Sequence, residues 1–520
     1  MEALMSNLTL QFRESPLSIS QQTLNDLLNL SLDLKIRESF TYEQIDILKC
    51  IACYCIDVIC TGTGAPSNEQ LAVLVLVFKL LRNLCAQVKR NQNQIGQTQF
   101  LDELKRFILW NNDNFELYQY GPVVACLTQL IGNICVTNDS SQGEVWYALY
   151  PIAFKSLLSM NSSSIFEATC MVIFNCIRGN AQERMKSLFV DTDGTIISLI
   201  LNSLKTLKES GTEWAVLVLE ELLSIAPLST LCHSTLSSYP RERVSLLEFL
   251  LAYCDELGVP DSSREDEESL VADDEAFLLR SKAQSFFQSV LHSHSNLHYL
   301  MDQYQLLVTQ LLFDHKELLA SLQCIESTYR SLEDSAVITL KHLVSVLGLL
   351  CQSSSCHSLL QVIQEKESLI LHSSIDFLSS LSKLDGSLES ARNVSHSSFS
   401  SSSDLTAHPL YGIKRDLVRL IGNLCYQCKK NQDQVHDSIP LLLNQCNIEH
   451  MNPYIQQWSL WAIRNICEGN PANQEIIRNI EKRGNQGEGS INVASQLEDS
   501  LGCEVEIDKN GKLRLKKKKS

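Results

Sequence analysis

The chain has 520 residues, 44% of them apolar, with 60 acidic and 43 basic side chains and a formal net charge of −17. That length can bury a large core, and the negative field repels phosphate backbones, so nucleic-acid partners are not expected and basic protein segments are favoured. Most of the 19 cysteines sit inside apolar runs such as Ile51-Ala52-Cys53-Tyr54-Cys55-Ile56, where free Cys acts as a small hydrophobe; this argues against a disulfide framework and for a reducing cytoplasmic or nuclear compartment.

Met1 to Leu10 lacks the basic-then-apolar pattern of a secretory leader. The longest apolar run, Leu71 to Phe78, is stopped by Lys79 well short of a membrane span. Helical spacing follows helical spacing from about Leu17 to Leu257. Within it, Leu81-Arg82-Asn83-Leu84-Cys85 and Ile131-Gly132-Asn133-Ile134-Cys135 share one pattern, and Phe174-Asn175-Cys176-Ile177 is a looser copy. Asn133 precedes Asn175 by 42 positions and follows Asn83 by 50. Gln92 and Gln142 lie nine residues after their Asn, whereas Gln182 follows by seven. Trp214 to Val218 continues the register without an Asn.

An acidic run, Asp261 to Glu275, reads as a solvated loop. Helical patterning resumes from Ala276 to Leu381, with Leu349 in the Asn position. Lys383 to His408 is Ser-rich and reads as a disordered loop. Tyr411 to Arg483 holds the two clearest repeats, Ile421-Gly422-Asn423-Leu424-Cys425 and Ile463-Arg464-Asn465-Ile466-Cys467, again 42 apart. Beyond Gly484, the alternation Val505/Ile507 and Leu513/Leu515 about Asn510-Gly511 predicts a β-hairpin, and Lys516 to Lys519 a basic tail.

A period of roughly 40 to 47 residues with only helical patterning belongs to armadillo and HEAT arrays. Pro151 and Pro440 suit first-turn positions, giving short helix, second helix and long third helix, which favours armadillo. The expected class is therefore all-α: an armadillo/HEAT-like α-solenoid with a short C-terminal β-hairpin. Its parts are 1–258 N-terminal repeats, 259–275 acidic loop, 276–382 degenerate central repeats, 383–408 Ser-rich loop, 409–484 C-terminal repeats and 485–520 linker, hairpin and tail.

The recurring Asn is the best functional candidate, since Asn is a mediocre helix residue that needs a reason to return at one register. On a third helix it would face a peptide groove, so Asn83, Asn133, Asn175, Asn423 and Asn465, with Trp458 and Trp461, form the candidate protein-binding set. Trp458, Trp461, Ala462 and Asn465 share one helical face; Leu460, Ile463 and Cys467 share the other. The alternative role for the Asn is an internal hydrogen bond. Asn91, Asn431 and Asn473 are expected to cap the next helix. Thr61-Gly62-Thr63-Gly64 lacks the Lys of a phosphate loop. Cys50, Cys53, Cys55 and Cys60 read as core cysteines, and His292, His294 and His298 lack a further ligand for a metal. No catalytic residue, cofactor or metal site is assigned, and an enzyme is not expected.

Arg419 to Tyr426, Asn431-Gln432-Asp433, Ile439-Pro440-Leu441, Cys446-Asn447, Asn452-Pro453 and Trp461 to Asn465 together resemble the C-terminal domain of the ataxin-10 family. Leu81-Arg82-Asn83, Gly132-Asn133-Ile134, Glu183 to Lys186 and Cys503 to Glu506 are similar to corresponding places in it. The resemblance implies an armadillo-like, non-enzymatic scaffold of the cytoplasm, including perinuclear, midbody and centrosome or cilium-base locations. It implies roles in neuron survival, neurite outgrowth and cytokinesis. The implied partners are G-protein β subunits, O-linked N-acetylglucosamine transferase, centrosomal or ciliary proteins, and a second copy of the chain. An importin-α-like adaptor for basic peptides is the competing reading. It needs a Trp four residues before each Asn, where the chain has Lys79, Gln129, Met171 and Arg419, and a Trp only at 461.

Overall fold

The computed structural model describes residues 1–16, 19–62, 66–113, 120–179, 182–190, 195–206, 213–232, 240–258, 293–313, 336–351, 364, 368–392, 410–447, 449–484, 503–507 and 513–517. The chain divides into two compact units, Met1–Glu242 and Arg243–Ser520.

Among the described residues of the first unit, the regular elements are all helices. They are α1 (Glu2–Glu14), α2 (Gln21–Leu30), α3 (Leu34–Ser39), α4 (Tyr42–Thr61), α5 (Asn68–Cys85), α6 (Lys89–Ile95), α7 (Thr98–Asp113), α8 (Gly121–Cys135), α9 (Asp139–Leu149), α10 (Ile152–Leu158), α11 (Ser163–Ile177), α12 (Gln182–Val190), α13 (Thr195–Thr206), α14 (Glu213–Ile225) and α15 (Leu228–Thr230). Helix α16 (Pro240–Gly258) begins at its end. The second unit continues with α17 (His294–Phe313), α18 (Ala336–Leu350), α19 (Ser368–Arg392), α20 (Ile413–Leu424), α21 (Lys429–Gln434), α22 (Ile439–Leu443), α23 (Ile455–Cys467) and α24 (Pro471–Gly484). Strands β1 (Cys503–Ile507) and β2 (Leu513–Lys517) pair antiparallel, Val505 opposite Leu515.

A short helix, a second helix and a third helix that bears the Asn follow one another in α6–α7–α8, α9–α10–α11 and α21–α22–α23. Third helices stack on third helices: α2, α5, α8, α11 and α14 in the first unit, and α18, α20 and α23 in the second. Their apolar rows are sealed; in α8, for example, Leu127, Leu130, Ile131 and Ile134 are fully buried. Two α4 and α5 starts carry reciprocal capping boxes, Thr41 with Gln44 and Ser67 with Gln70, which satisfy two orphan donors at each end.

The turn after each Asn helix is a second invariant. Gln87, Thr137, Gly179, Gln427 and Gly469 each stand four residues past their Asn, and all have positive φ, between 51° and 82°. In the first and second copies the preceding residue, Ala86 or Val136, is extended near ψ 111–117°, which makes a type II turn. That turn requires φ > 0 at its third residue and prefers Gly there. Only two of the five copies supply one.

Two expectations are corrected. Helix α19 runs to Arg392, ten residues into the segment read as a loop from Lys383, because Leu381, Leu384, Leu388 and Ala391 keep helical spacing through the serines. Residues 393–408 lie outside the described residues, as do the acidic run 259–275, the linker 485–502, Thr63 and Gly64 of the Thr61–Gly64 stretch, and His292 with the His294 side chain. Nor are all four early cysteines core: Cys55 is buried, Cys53 and Cys60 are half-buried, and Cys50 is exposed. Burial pushes the Cys53, Cys55 and Cys60 thiols up to about 11, so they are protonated at neutral pH.

Candidate functional site

The Asn register is first of all a joint. Asn133 Nδ2 donates to the Arg82 carbonyl at 3.0 Å, Asn423 Nδ2 to Gly348 at 3.1 Å and Asn465 Nδ2 to Gly422 at 3.0 Å. In each case the acceptor immediately precedes the Asn position of the previous third helix; Leu349 occupies that position after Gly348. Asn83 donates instead to the side chain of Ser31, at the end of α2, reaching its Oγ at 3.0 Å. Asn175 is the exception and turns back to the Met171 carbonyl of its own helix at 2.9 Å.

The trailing Gln closes the joint from the other side. Gln92 Nε2 donates to the carbonyls of Asn133 and Val136 in the following repeat, at 2.9 and 3.1 Å. Gln432 Nε2 does the same to Asn465 and Glu468, at 2.9 and 3.2 Å. Gln142, Gln432 and Gln474 also reach back seven residues to Cys135, Cys425 and Cys467. Gln182 does not keep this register. Nine residues past Asn175 stands Arg184, whose Nε donates to the Cys176 carbonyl at 2.5 Å, so the place is kept by a different donor.

Asn91, Asn431 and Asn473 do not cap the following helix. Their amides donate to Leu84, Leu424 and Ile466, seven residues back, at 2.8 to 3.0 Å. They satisfy the open carbonyls at the C-terminus of the third helix, and an amide N–H, unlike the Asn oxygen, is suited to that end.

On α23 the candidate face is narrower than the helical wheel suggests. Asn465 and Ala462 are buried and Leu460 is half-buried, because α23 lies so close to α20 that a Cβ on Gly422 would stand 2.8 Å from the Ala462 Cα. What remains outward is aromatic and cationic. Trp461 is 56% exposed with the Arg464 guanidinium 5.0 Å from its ring centroid. Trp458 is half-buried beneath Arg419 at 5.6 Å. Tyr454, one turn before Trp458, is 71% exposed. The Asn residues of the other four copies are half-exposed. Each has a remaining donor and acceptor capacity beyond its joint bond.

Behind this face lies a buried ionic cluster that the sequence did not announce. Asp416 accepts from Arg415 Nε at 2.8 Å and from Ser345 Oγ at 2.6 Å, and Arg419 Nη2 lies 3.3 Å away. Burial alone would push its carboxyl up; the bonds to Arg415 and Ser345 and the charges of Arg419 and Arg415 win, holding it below the usual aspartate range. Lys341 nearby is pulled down by burial. Chemically this is a fixed salt-bridge network that anchors Arg419 over Trp458. Among the described residues no group of three or more His, Cys, Asp or Glu is arranged to hold a metal ion. No helix among them is long and apolar enough to cross a membrane.

Residues 413–516 match a family model described as the spinocerebellar ataxia type 10 protein domain. Across 91% of this chain and 86% of the relative, the sequence is 29% identical to Ataxin-10 of Xenopus tropicalis. Over 20% of this chain and 16% of the relative, it is 38% identical to the Ataxin-10 homolog of Dictyostelium discoideum. A solved structure of Uso1-1 aligns over 95% of this chain and 78% of that one, with a TM-score of 0.34 and 12% identity.

Proposed function

The chain belongs to the ataxin-10 family, and on that premise we propose that it is a non-enzymatic armadillo-repeat scaffold whose third-helix face binds segments of other proteins. The observation that carries this is Trp461: a large aromatic left 56% exposed, stacked with Arg464, on a helix whose packing is already supplied by Ile463, Ile466 and Cys467. Exposed Trp and Arg together are the composition of interaction hot spots. The Asn ladder then holds the face rigid, and its half-exposed members supply hydrogen-bonding groups beside the aromatic anchor.

The proposal extends to the cytoplasmic setting, the cytokinetic and neuronal roles, and the partners that membership implies, including self-association. The part boundaries proposed from composition go with it, redrawn at Arg392. Affinity capture with proximity labelling from dividing cells, comparing the wild type with Trp461→Ala, tests the face. The expected result is loss of one or more partners at an unchanged melting temperature. Retention of every partner would remove this helix from the binding surface.

A further inference from the structure

The ladder face carries a charge pattern opposite to that of the whole chain. Three positions on each Asn helix present side chains toward the neighbouring third helix or solvent: the Asn, the residue before it and the residue four before it. Every charged residue at these positions in the five copies is a cation, namely Lys79, Arg82, Arg419 and Arg464. No Asp or Glu occurs there, although acidic residues outnumber basic ones 60 to 43.

Arg419 is committed to Asp416 at 3.3 Å. Lys79, Arg82 and Arg464 have no ion-pair partner among the described residues. In the first unit Lys79 and Arg82 lie one turn apart on α5, both half-exposed. The Arg82 guanidinium is oriented by a bond to Gln129 Oε1 on α8. Their joint field reaches α8, where it opposes the upward push of burial on the Cys126 thiol. One oriented guanidinium and a neighbouring ammonium beside half-exposed amides match a carboxylate followed by peptide backbone, since Arg and Lys donate to carboxylates and Asn can bond a main chain. Packed helices stand about 8–10 Å apart and an extended chain rises about 3.3 Å per residue, so successive ladder helices meet every third residue of such a segment.

We propose that the third-helix face of the first unit takes an extended acidic protein segment, with a carboxylate on Lys79 and Arg82 and the following residues over Gln129 and Asn133. This rests on reading the ladder face as a peptide groove. It reverses the preference for basic segments that net charge alone suggests, because a bound side chain meets the local cations at contact distance while the remote acids are screened beyond about 10 Å. A nucleic acid fits less well, since phosphate backbones need rows of cations and this face offers two in a chain of charge −17.

The test is fluorescence anisotropy on the full chain with three labelled probes: a 12-residue peptide of Glu, Ser and Leu, its Lys-for-Glu counterpart, and a 12-nucleotide single-stranded DNA. The acidic peptide should bind at least tenfold tighter than the other two. Lys79→Gln with Arg82→Gln should weaken it at least tenfold at unchanged melting temperature, and Lys79→Gln alone, which disturbs no bond, at least threefold. Arg478→Gln, on α24 in the other unit and paired among the described residues only with Glu475, should leave it unchanged. Equal binding of acidic and basic peptides, tighter binding of the DNA, or indifference to both Lys79 variants would overturn the inference while leaving a groove that binds peptides. Absence of binding by either peptide would count against the inference and the groove together.

Discussion

The joint between α20 and α23 and the joint between α8 and α11 start from the same dipeptide, Gly-Asn, and are finished differently. At the first, Gly422 lets the Ala462 backbone approach, and Asn465 of the incoming helix reaches the Gly422 carbonyl at 3.0 Å. At the second, Gly132 is met by the end of the Met171 side chain, and Asn175 bonds within its own helix. The Gly makes room in both. What fills the room decides whether the Asn crosses to its neighbour: a small Ala brings the helices together, while a long Met occupies the gap and leaves the amide to its own turn. The same motif therefore marks a cross-linked joint in one place and an oil-filled one in the other.

The largest expected difference lies behind the first joint. Helix α8 carries no charged residue, whereas α20 buries Asp416 against two arginines and Ser345. Asp416→Asn should destabilise the second unit by about 3 kcal/mol or more, since breaking a buried pair leaves uncompensated charge. Denaturant unfolding followed by the fluorescence of Trp458 and Trp461 measures it. The folded carboxyl titrates below its unfolded value, so its contribution is fully present above the ordinary aspartate value of about 3.9 and is lost as pH falls through the folded value. The acid limb of the stability curve should accordingly flatten in the variant.

Next in size is the response to a methyl group at the two glycines. Gly422→Ala should lose about 1–3 kcal/mol by overpacking, because the atoms it meets belong to the Ala462 backbone and Cβ. Gly132→Ala should be near neutral: the Met171 Cε can rotate away, and Ala gains up to about 1 kcal/mol of helix preference. Equal losses at the two sites would show that the joints are alike after all.

The smallest effects come from the turn that both joints share. Thr137→Gly should stabilise by about 1 kcal/mol, because a β-branched residue at φ 54° is strained in a conformation that Gly adopts freely. Gly469→Ala should lose a similar amount. Thermal unfolding of the two variants reads both signs.

Much of this was legible in the sequence. Period and helix order could be read from Asn, Gln and Pro spacing because those residues recur at fixed register for backbone reasons, and the family from the resemblance of the motifs between Gly412 and Gly484. The purpose of the Asn was not, since its spacing is the same whether the amide faces a peptide or the preceding helix; only the distances to Arg82, Gly348 and Gly422 choose. Arg184 was hidden by its chemistry, a guanidinium doing at the ninth position what an amide does elsewhere. Gln87, Thr137 and Gln427 gave no signal of positive φ, because the turn imposes a conformation that their residue types do not favour. Asp416 was hidden as well: its partners Ser345 and Arg415 come from helices about 70 residues apart.

On α23 labour is divided, with Asn465 holding the repeat and Trp461 facing outward. Denaturant unfolding of Asn465→Ala and Trp461→Ala, side by side, tests it most directly. Asn465→Ala should lose about 1–3 kcal/mol, because the Gly422 carbonyl is left without its donor in a buried joint, and Trp461→Ala should stay within about 0.5 kcal/mol, as an exposed substitution does. The reverse order, or equal losses, would contradict the division and return Trp461 to the structural framework.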